Sequence, residues 1–133
     1  MEKTENKKYK VLLIDDDEYL VDMYSLKFEK GGLDVSAVFS GEQALNKLRE
    51  NHFDIIVMDL IMPVMDGFEL LETIRKEKLA DDSAIIILSN QGQKSDIDRV
   101  EKLSVDGYVV KASTIPSEVL EDVIKIADKK FNN

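Results

Sequence analysis

The sequence contains no cysteine, one histidine and two prolines in 133 residues. Without cysteine there can be no disulfide, no thiolate metal ligand and no thiol nucleophile. The longest clean apolar run, Ala84–Leu88, is far too short to cross a bilayer. The first ten residues, MEKTENKKYK, lack the apolar stretch of a secretory signal, so a cytoplasmic location is expected. Neither GxxxxGKS/T nor GxGxxG occurs, which leaves no glycine-rich cradle for a nucleotide. No internal repeat, low-complexity tract or Pro/Gly/Ser-rich linker divides the chain. Positive charge is also in short supply: 18 Lys+Arg stand against 27 Asp+Glu, for a net charge of −9. Such a surface repels phosphate backbones, so neither nucleic acid nor membrane is expected as a direct partner.

Hydrophobic residues make up 44% of the chain, enough at this length for one domain with a proper core. They fall into five short runs, Tyr9–Ile14, Val35–Phe39, Ile55–Met58, Ala84–Leu88 and Tyr108–Val110. The runs are β-branched and nearly continuous, as in strands buried on both faces of a parallel sheet. Between them lie helical patterns. Glu18–Glu29 spaces Leu20, Tyr24 and Phe28 along one face and stops at Gly31-Gly32. Ser40 to Gln43 reads as a capping box for a helix ending near Asn51. Phe68–Lys78 places Phe68, Leu71 and Ile74 inward. A fourth helix opens at Ser95 to Asp98 with Ile97, Val100 and Leu103 inward. Pro116 begins the fifth, which buries Val119, Val123 and Ile126 or Ala127. Five β-α units predict a doubly wound α/β domain over residues 9–131, preceded by a flexible tail of residues 1–8.

In an open parallel sheet, ligands bind beyond the carboxyl ends of the strands. The first strand ends in Asp15-Asp16-Asp17, the third in Asp59, the fourth in Ser89 and the fifth in Lys111. Singly, a triple aspartate is a helix cap or solvated loop, Ser89 a turn residue and Lys111 a surface cation. Asp59 is harder to dismiss, because a carboxylate directly after a buried strand is costly unless paired or metal-bound. Together on one rim they form a set suited to a hard cation and a phosphoryl group. Oxygen-only ligands suit Mg²⁺, with Mn²⁺ as a substitute, and a hydroxyl and an ammonium suit phosphate oxygens. His52, alone in a turn away from this rim, reads as incidental. Tyr108, at the start of the last strand, could be simple core packing.

The segments VLLIDDD (Val11–Asp17), IIVMDLIMPVMDG (Ile55–Gly67), IIILSN (Ile85–Asn90) and DGYVVK (Asp106–Lys111) resemble, in order and interval, the receiver domain of bacterial two-component response regulators. The resemblance covers nearly the whole chain and implies a (βα)5 flavodoxin-like fold with strand order 2-1-3-4-5. It implies that Asp59 is the phosphoacceptor, receiving a phosphoryl group from a histidine kinase or histidine phosphotransfer protein. Asp15, Asp16 and Asp59 would hold Mg²⁺ together with the backbone carbonyl of Ile61. Lys111 would pair with phosphoryl oxygens, Ser89 would hydrogen-bond to one of them, and Tyr108 would be the switch aromatic. Pro63 and Gly67 would shape the loop after Asp59. Asp17 has no role in that set, and capping the first helix is its expected job. The resemblance further implies a downstream protein partner, or a second copy of this chain. Either would dock on the face of the fourth helix, fifth strand and fifth helix. No output domain is expected within the sequence.

Two features depart from the family. Ala112 replaces the usual proline after the lysine, and Asn90 replaces a usually small residue after Ser89. A cis bond before a non-proline residue costs about 2.5–4 kcal/mol, so Lys111–Ala112 is expected to be trans. Two other functions remain open on sequence grounds. Asp15-x-Asp17 after a strand imitates the nucleophile motif of haloacid-dehalogenase-type phosphatases, although that reading leaves Asp59 unexplained. A receiver-like binding module that is never phosphorylated is the other, and it has no need of Asp16, Asp59, Ser89 and Lys111 together.

Overall fold

Residues 9–90 and 94–132 are described by the structure, a computed structural model. Residues 1–8, expected as a tail, lie outside them. The strands are β1 (Lys10–Ile14), β2 (Asp34–Val38), β3 (Ile55–Met58), β4 (Ala84–Ser89) and β5 (Gly107–Val110). They form one parallel sheet in the order β2-β1-β3-β4-β5, the doubly wound order expected from the sequence. The helices are α1 (Glu18–Lys30), α2 (Gly41–Glu50), α3 (Gly67–Lys76), α4 (Lys94–Glu101) and α5 (Pro116–Phe131), and a 3-10 turn, Lys111–Ser113, follows β5.

Alternation along the strands divides the core in two. Leu12, Ile14, Ile56, Met58, Ile85 and Ile87 face the side covered by α2, α3 and α4. Val11, Leu13, Ile55, Val57, Ile86 and Leu88 face α1 and α5. Side chains on successive residues point to opposite faces, so an unbroken apolar run fills both layers. All of β3 and β4 is buried, whereas the edge strands β2 and β5 are mostly half-exposed. That is why Ser36 is tolerated in β2. The second strand also begins one residue earlier than the apolar pattern suggests, leaving Phe39 beyond its end and exposed.

Local chemistry fixes where each helix begins. Asp17 caps α1, its carboxylate accepting from the Leu20 N–H at 3.2 Å, as its position suggested. Ser40 caps α2 through the Gln43 N–H, but the Gln43 side chain accepts from Phe39 rather than from Ser40, so the expected box closes one residue early. A complete box that sequence reading passed over, Asp66 with Glu69, starts α3 at Gly67, one residue before the expected Phe68. Asp106 ties the near ends of β4 and β5 together, accepting from the Ile85 N–H at 2.8 Å while its own N–H donates to the Ile85 carbonyl.

Gly67 is required by close approach. A Cβ there would lie 2.5 Å from the Asp59 carbonyl oxygen and 2.6 Å from the Leu60 Cα, both backbone atoms that cannot turn aside. A Cβ at Gly107 would instead meet the end of the Ile126 side chain, which can. We predict that Gly67→Ala lowers stability by about 1–3 kcal/mol, the usual cost of overpacking. Urea melts should show a lower midpoint at unchanged slope, and Gly107→Ala should cost distinctly less.

Candidate functional site

The register levels the carboxyl ends of the central strands, pairing Ile14 with Met58 and Met58 with Ile87. The residues just beyond those ends therefore meet on one rim. Asp15, Asp59 and Ser89 are 4%, 7% and 3% exposed, and Asp16 is exposed beside them. One carboxylate oxygen from each of Asp15, Asp16 and Asp59 lies within 4.8 Å of the others. This is an all-oxygen, hard donor set of the kind that holds a divalent cation with few carboxylates, so the residues present fit a metal ion such as Mg²⁺. Ile61 lies in the loop after Asp59, and its N–H approaches Asp59 Oδ1 at 3.4 Å.

Lys111 reaches across from the end of β5. Its Nζ donates to Asp15 Oδ2 at 2.6 Å and lies 3.6 Å from Asp59 Oδ2, with all three side chains nearly buried. The ammonium is thus held closer to Asp15 than to Asp59. The second oxygen of Asp15 accepts the Asp17 N–H at 3.0 Å. Asp59 Oδ1 accepts the Leu60 N–H at 2.7 Å, which leaves Oδ2 facing the lysine. The Lys111–Ala112 bond is trans, and no peptide is cis among the described residues.

The charges are unbalanced. Two buried carboxylates and a third at the rim surround one lysine. Burial pushes the Asp59 carboxyl above its ordinary range, Lys111 pulls it back, and the Asp15 charge pushes it up again. The net direction is upward. For Lys111, burial alone would lower the ammonium, but the Asp15 hydrogen bond and the charges of Asp59 and Asp15 outweigh it and leave its pKa raised. Tyr24, on α1, is buried near enough to Lys111 and Asp15 for both charges to act on its phenol, whose pKa burial raises. The apolar spacing of α1 marked Tyr24 as core and gave no sign of this.

Ser89 lies close enough to Tyr108 for its hydroxyl to act on the phenol. The Tyr108 ring packs against the core layer on the α4 side. Burial raises the Tyr108 phenol, the Ser89 hydroxyl opposes this, and Asp96 and Asp59 add to it. The Asp17 side chain serves as the α1 cap while its N–H holds Asp15, and His52 is exposed in its turn. Val64, four residues after Pro63's own loop begins at Leu60, has φ 69° and a fully exposed side chain. Left-handed backbone is uncommon for a β-branched residue and marks the loop beside Asp59 as strained. Nothing in the local sequence signals it.

The family model for the response regulator receiver domain matches residues 11–124. The alkaline phosphatase synthesis transcriptional regulatory protein PhoP of Bacillus subtilis is 33% identical over 110 residues, which are 83% of this chain and 45% of that protein. SaeR, a response regulator of Staphylococcus aureus, is 33% identical over 101 residues, 76% of this chain and 43% of its own length. The chain spans about half the length of the curated relatives it matches. Among solved structures, the chemotaxis response regulator CheY4 of Vibrio cholerae superposes with a TM-score of 0.83 at 27% identity, covering 90% of this chain and 99% of that one. The Francisella response regulator 1452 receiver domain gives 0.81 at 32% identity, covering 92% and 98%.

The excess negative charge has a measurable consequence. A carboxylate whose folded pKa is raised favours folding when protonated and opposes it when ionised. Asp59→Asn should therefore stabilise the metal-free protein at neutral pH by roughly 0.5–2 kcal/mol, the usual yield of relieving one unfavourable charge. The sign sets the pH dependence: the gain should shrink as pH falls through the raised pKa of Asp59 toward the ordinary carboxylate range. Thermal melts in EDTA across that interval would check it, and a gain independent of pH would contradict it.

Proposed function

Since this chain belongs to the response regulator receiver domain family, signalling components of two-component systems, we propose that Asp59 is its phosphoacceptor. The phosphoryl group comes from a histidine kinase or histidine phosphotransfer protein, in a cytoplasmic setting. The observation that carries this reading is the buried Asp59 carboxylate, with Lys111 3.6 Å away and the Asp15 and Asp16 carboxylates gathered beside it. A nucleophile, a fixed cation and a divalent-metal donor set are what phosphoryl transfer to a carboxylate requires.

Asp59 Oδ1 is engaged by backbone N–H groups, so Oδ2 is the oxygen poised to attack. Its lone pair forms the bond to phosphorus while the bond from phosphorus to the donor's imidazole nitrogen breaks, and that electron pair returns to the imidazole. The product is an aspartyl phosphate. Asp15, Asp16 and Asp59, with the Ile61 carbonyl, would hold Mg²⁺, which when bound offsets repulsion between the carboxylate and the anionic phosphoryl group. Lys111 has only to shift from Asp15 toward Asp59 to meet a phosphoryl oxygen. Attack of water on phosphorus later returns the carboxylate and inorganic phosphate, so the domain resets itself and turns over no metabolite.

Ser89 and Tyr108 supply the readout. The Ser89 hydroxyl, close to Tyr108 before transfer, is drawn to the new phosphoryl group, and Tyr108 moves with it. That movement reshapes the face of α4, β5 and α5, where a downstream protein or a second copy of the chain docks. Candidate contacts on it include Asp98, Arg99, Lys102 and Glu121, mixed charges that favour modest, salt-sensitive binding. The haloacid-dehalogenase reading is disfavoured because the Asp17 carboxylate is spent on the α1 cap.

Incubation with Mg²⁺ and acetyl phosphate should add one phosphoryl group by intact mass, and Asp59→Asn should abolish it. Labelling of that variant to the same extent would refute the assignment. Tyr108→Ala should still be phosphorylated but lose phosphorylation-dependent association. Asp16→Asn should weaken Mg²⁺ binding, read as a smaller Mg²⁺-induced rise in melting temperature. An unchanged rise would move the metal elsewhere.

A further inference from the structure

Helix α4 is the most thinly packed of the five α-helices among the described residues. It has eight residues, and Val100 is its one fully buried side chain, whereas α3 buries five. Two arginines make up the difference. The Arg99 guanidinium lies over the Phe68 ring, 3.8 Å from its centroid, within the range in which a cation and a ring face attract. Arg75 of α3 reaches past the other end of α4. Its Nε donates to the Leu103 carbonyl at 2.9 Å and a terminal nitrogen to the Ser104 carbonyl at 2.8 Å. Those carbonyls belong to the turn that ends the helix, where Ser104 has φ 62°. Backbone carbonyls in such a turn need partners outside the helix, and the planar guanidinium satisfies two of them at once.

Phe68 is more than a nearby ring. It follows Gly67, whose N–H donates to the Leu60 carbonyl at 2.8 Å and whose missing side chain lets α3 start against the backbone of Asp59 and Leu60. The ring is itself buried. Its position is therefore set within one residue of the phosphoacceptor loop, and Arg99 hangs α4 from it. Arg75 fixes the end of the helix and Arg99 fixes its rotation.

We propose that Arg99 and Arg75 form a two-point tether that holds α4 in its resting position against α3, and that the Arg99–Phe68 stack is the contact that yields when α4 moves. The tether gives the β3–α3 loop a route to the α4 surface separate from Ser89 and Tyr108. This rests on reading the face of α4, β5 and α5 as the output surface, and it makes Arg99 a positioning residue with no part in the chemistry.

Amide hydrogen exchange over residues 94–101 tests it directly. Arg99→Ala and Phe68→Leu should each speed exchange there at least roughly two- to fivefold, as loss of a contact between an exposed guanidinium and a ring implies, with α1 and α5 unaffected. The double variant should be no faster than Phe68→Leu alone, because the stack that Arg99→Ala removes is already gone in it. Arg75→Ala should instead loosen residues 101–104. The rate of labelling by acetyl phosphate and Mg²⁺ should rise in Arg99→Ala by a similar factor, since less must be broken for α4 to shift. Unchanged exchange in Arg99→Ala, or additive effects in the double variant, would overturn the tether. Absence of labelling in the wild type would instead count against Asp59 as phosphoacceptor, while the exchange data judge the tether alone.

Discussion

A negative charge has to be kept at the end of a buried strand, and the rest of the molecule is arranged around that requirement. β3 is buried along its whole length, and Asp59 follows it with no break. An ionised carboxylate in such a place is tolerated only with partners. Two backbone N–H groups from its own loop and the Lys111 ammonium supply them. The lysine is shared with Asp15, to which it is closer, so the site is left with more acid than base. That imbalance is a standing cost to the fold. It is also what makes the site receptive to a divalent cation, because binding that cation relieves the repulsion the fold has to bear.

Much of this was legible in the sequence, for a definite reason. A parallel sheet covered on both faces needs continuous apolar strands, so Ile55–Met58 and Ala84–Leu88 stand out, and the residue after each run falls on the rim where the carboxylates gather. The edge strands are less distinct because they are mostly half-exposed, and the apolar run Val35–Phe39 is offset by one residue from β2 for that reason. Helix starts were readable where a side chain accepts a nearby N–H, as at Asp17 and Ser40. What could not be read were choices between partners of equal chemistry. Nothing in the spacing says that Lys111 would sit nearer Asp15 than Asp59, or that Tyr24 would come close to both. The Arg75 contacts with Leu103 and Ser104 join residues far apart in the chain through backbone carbonyls, which carry no sequence signature.

Stability is distributed unevenly across the two layers. On one side α1 and α5 close over the sheet, and Tyr9 adds a hydrogen bond to Asp128 at 2.6 Å and a ring contact with Phe131 that fasten the end of α5 to the start of the sheet. On the other side α3 is deeply buried, but among the described residues α4 and the turn after it are held chiefly by one valine and the contacts of two guanidinium groups. Elements that move in response to a signal come from the weakly held part of a structure, since a small free-energy change can shift only a small barrier of contacts. The site itself sits at the ends of the fully buried strands, whose register gathers the carboxylates of a site that could hold a cation. A domain with this division can hold its chemistry fixed while one helix changes position. The polar contacts that hold that helix can be exchanged for water, whereas a larger apolar face could not separate at so small a cost.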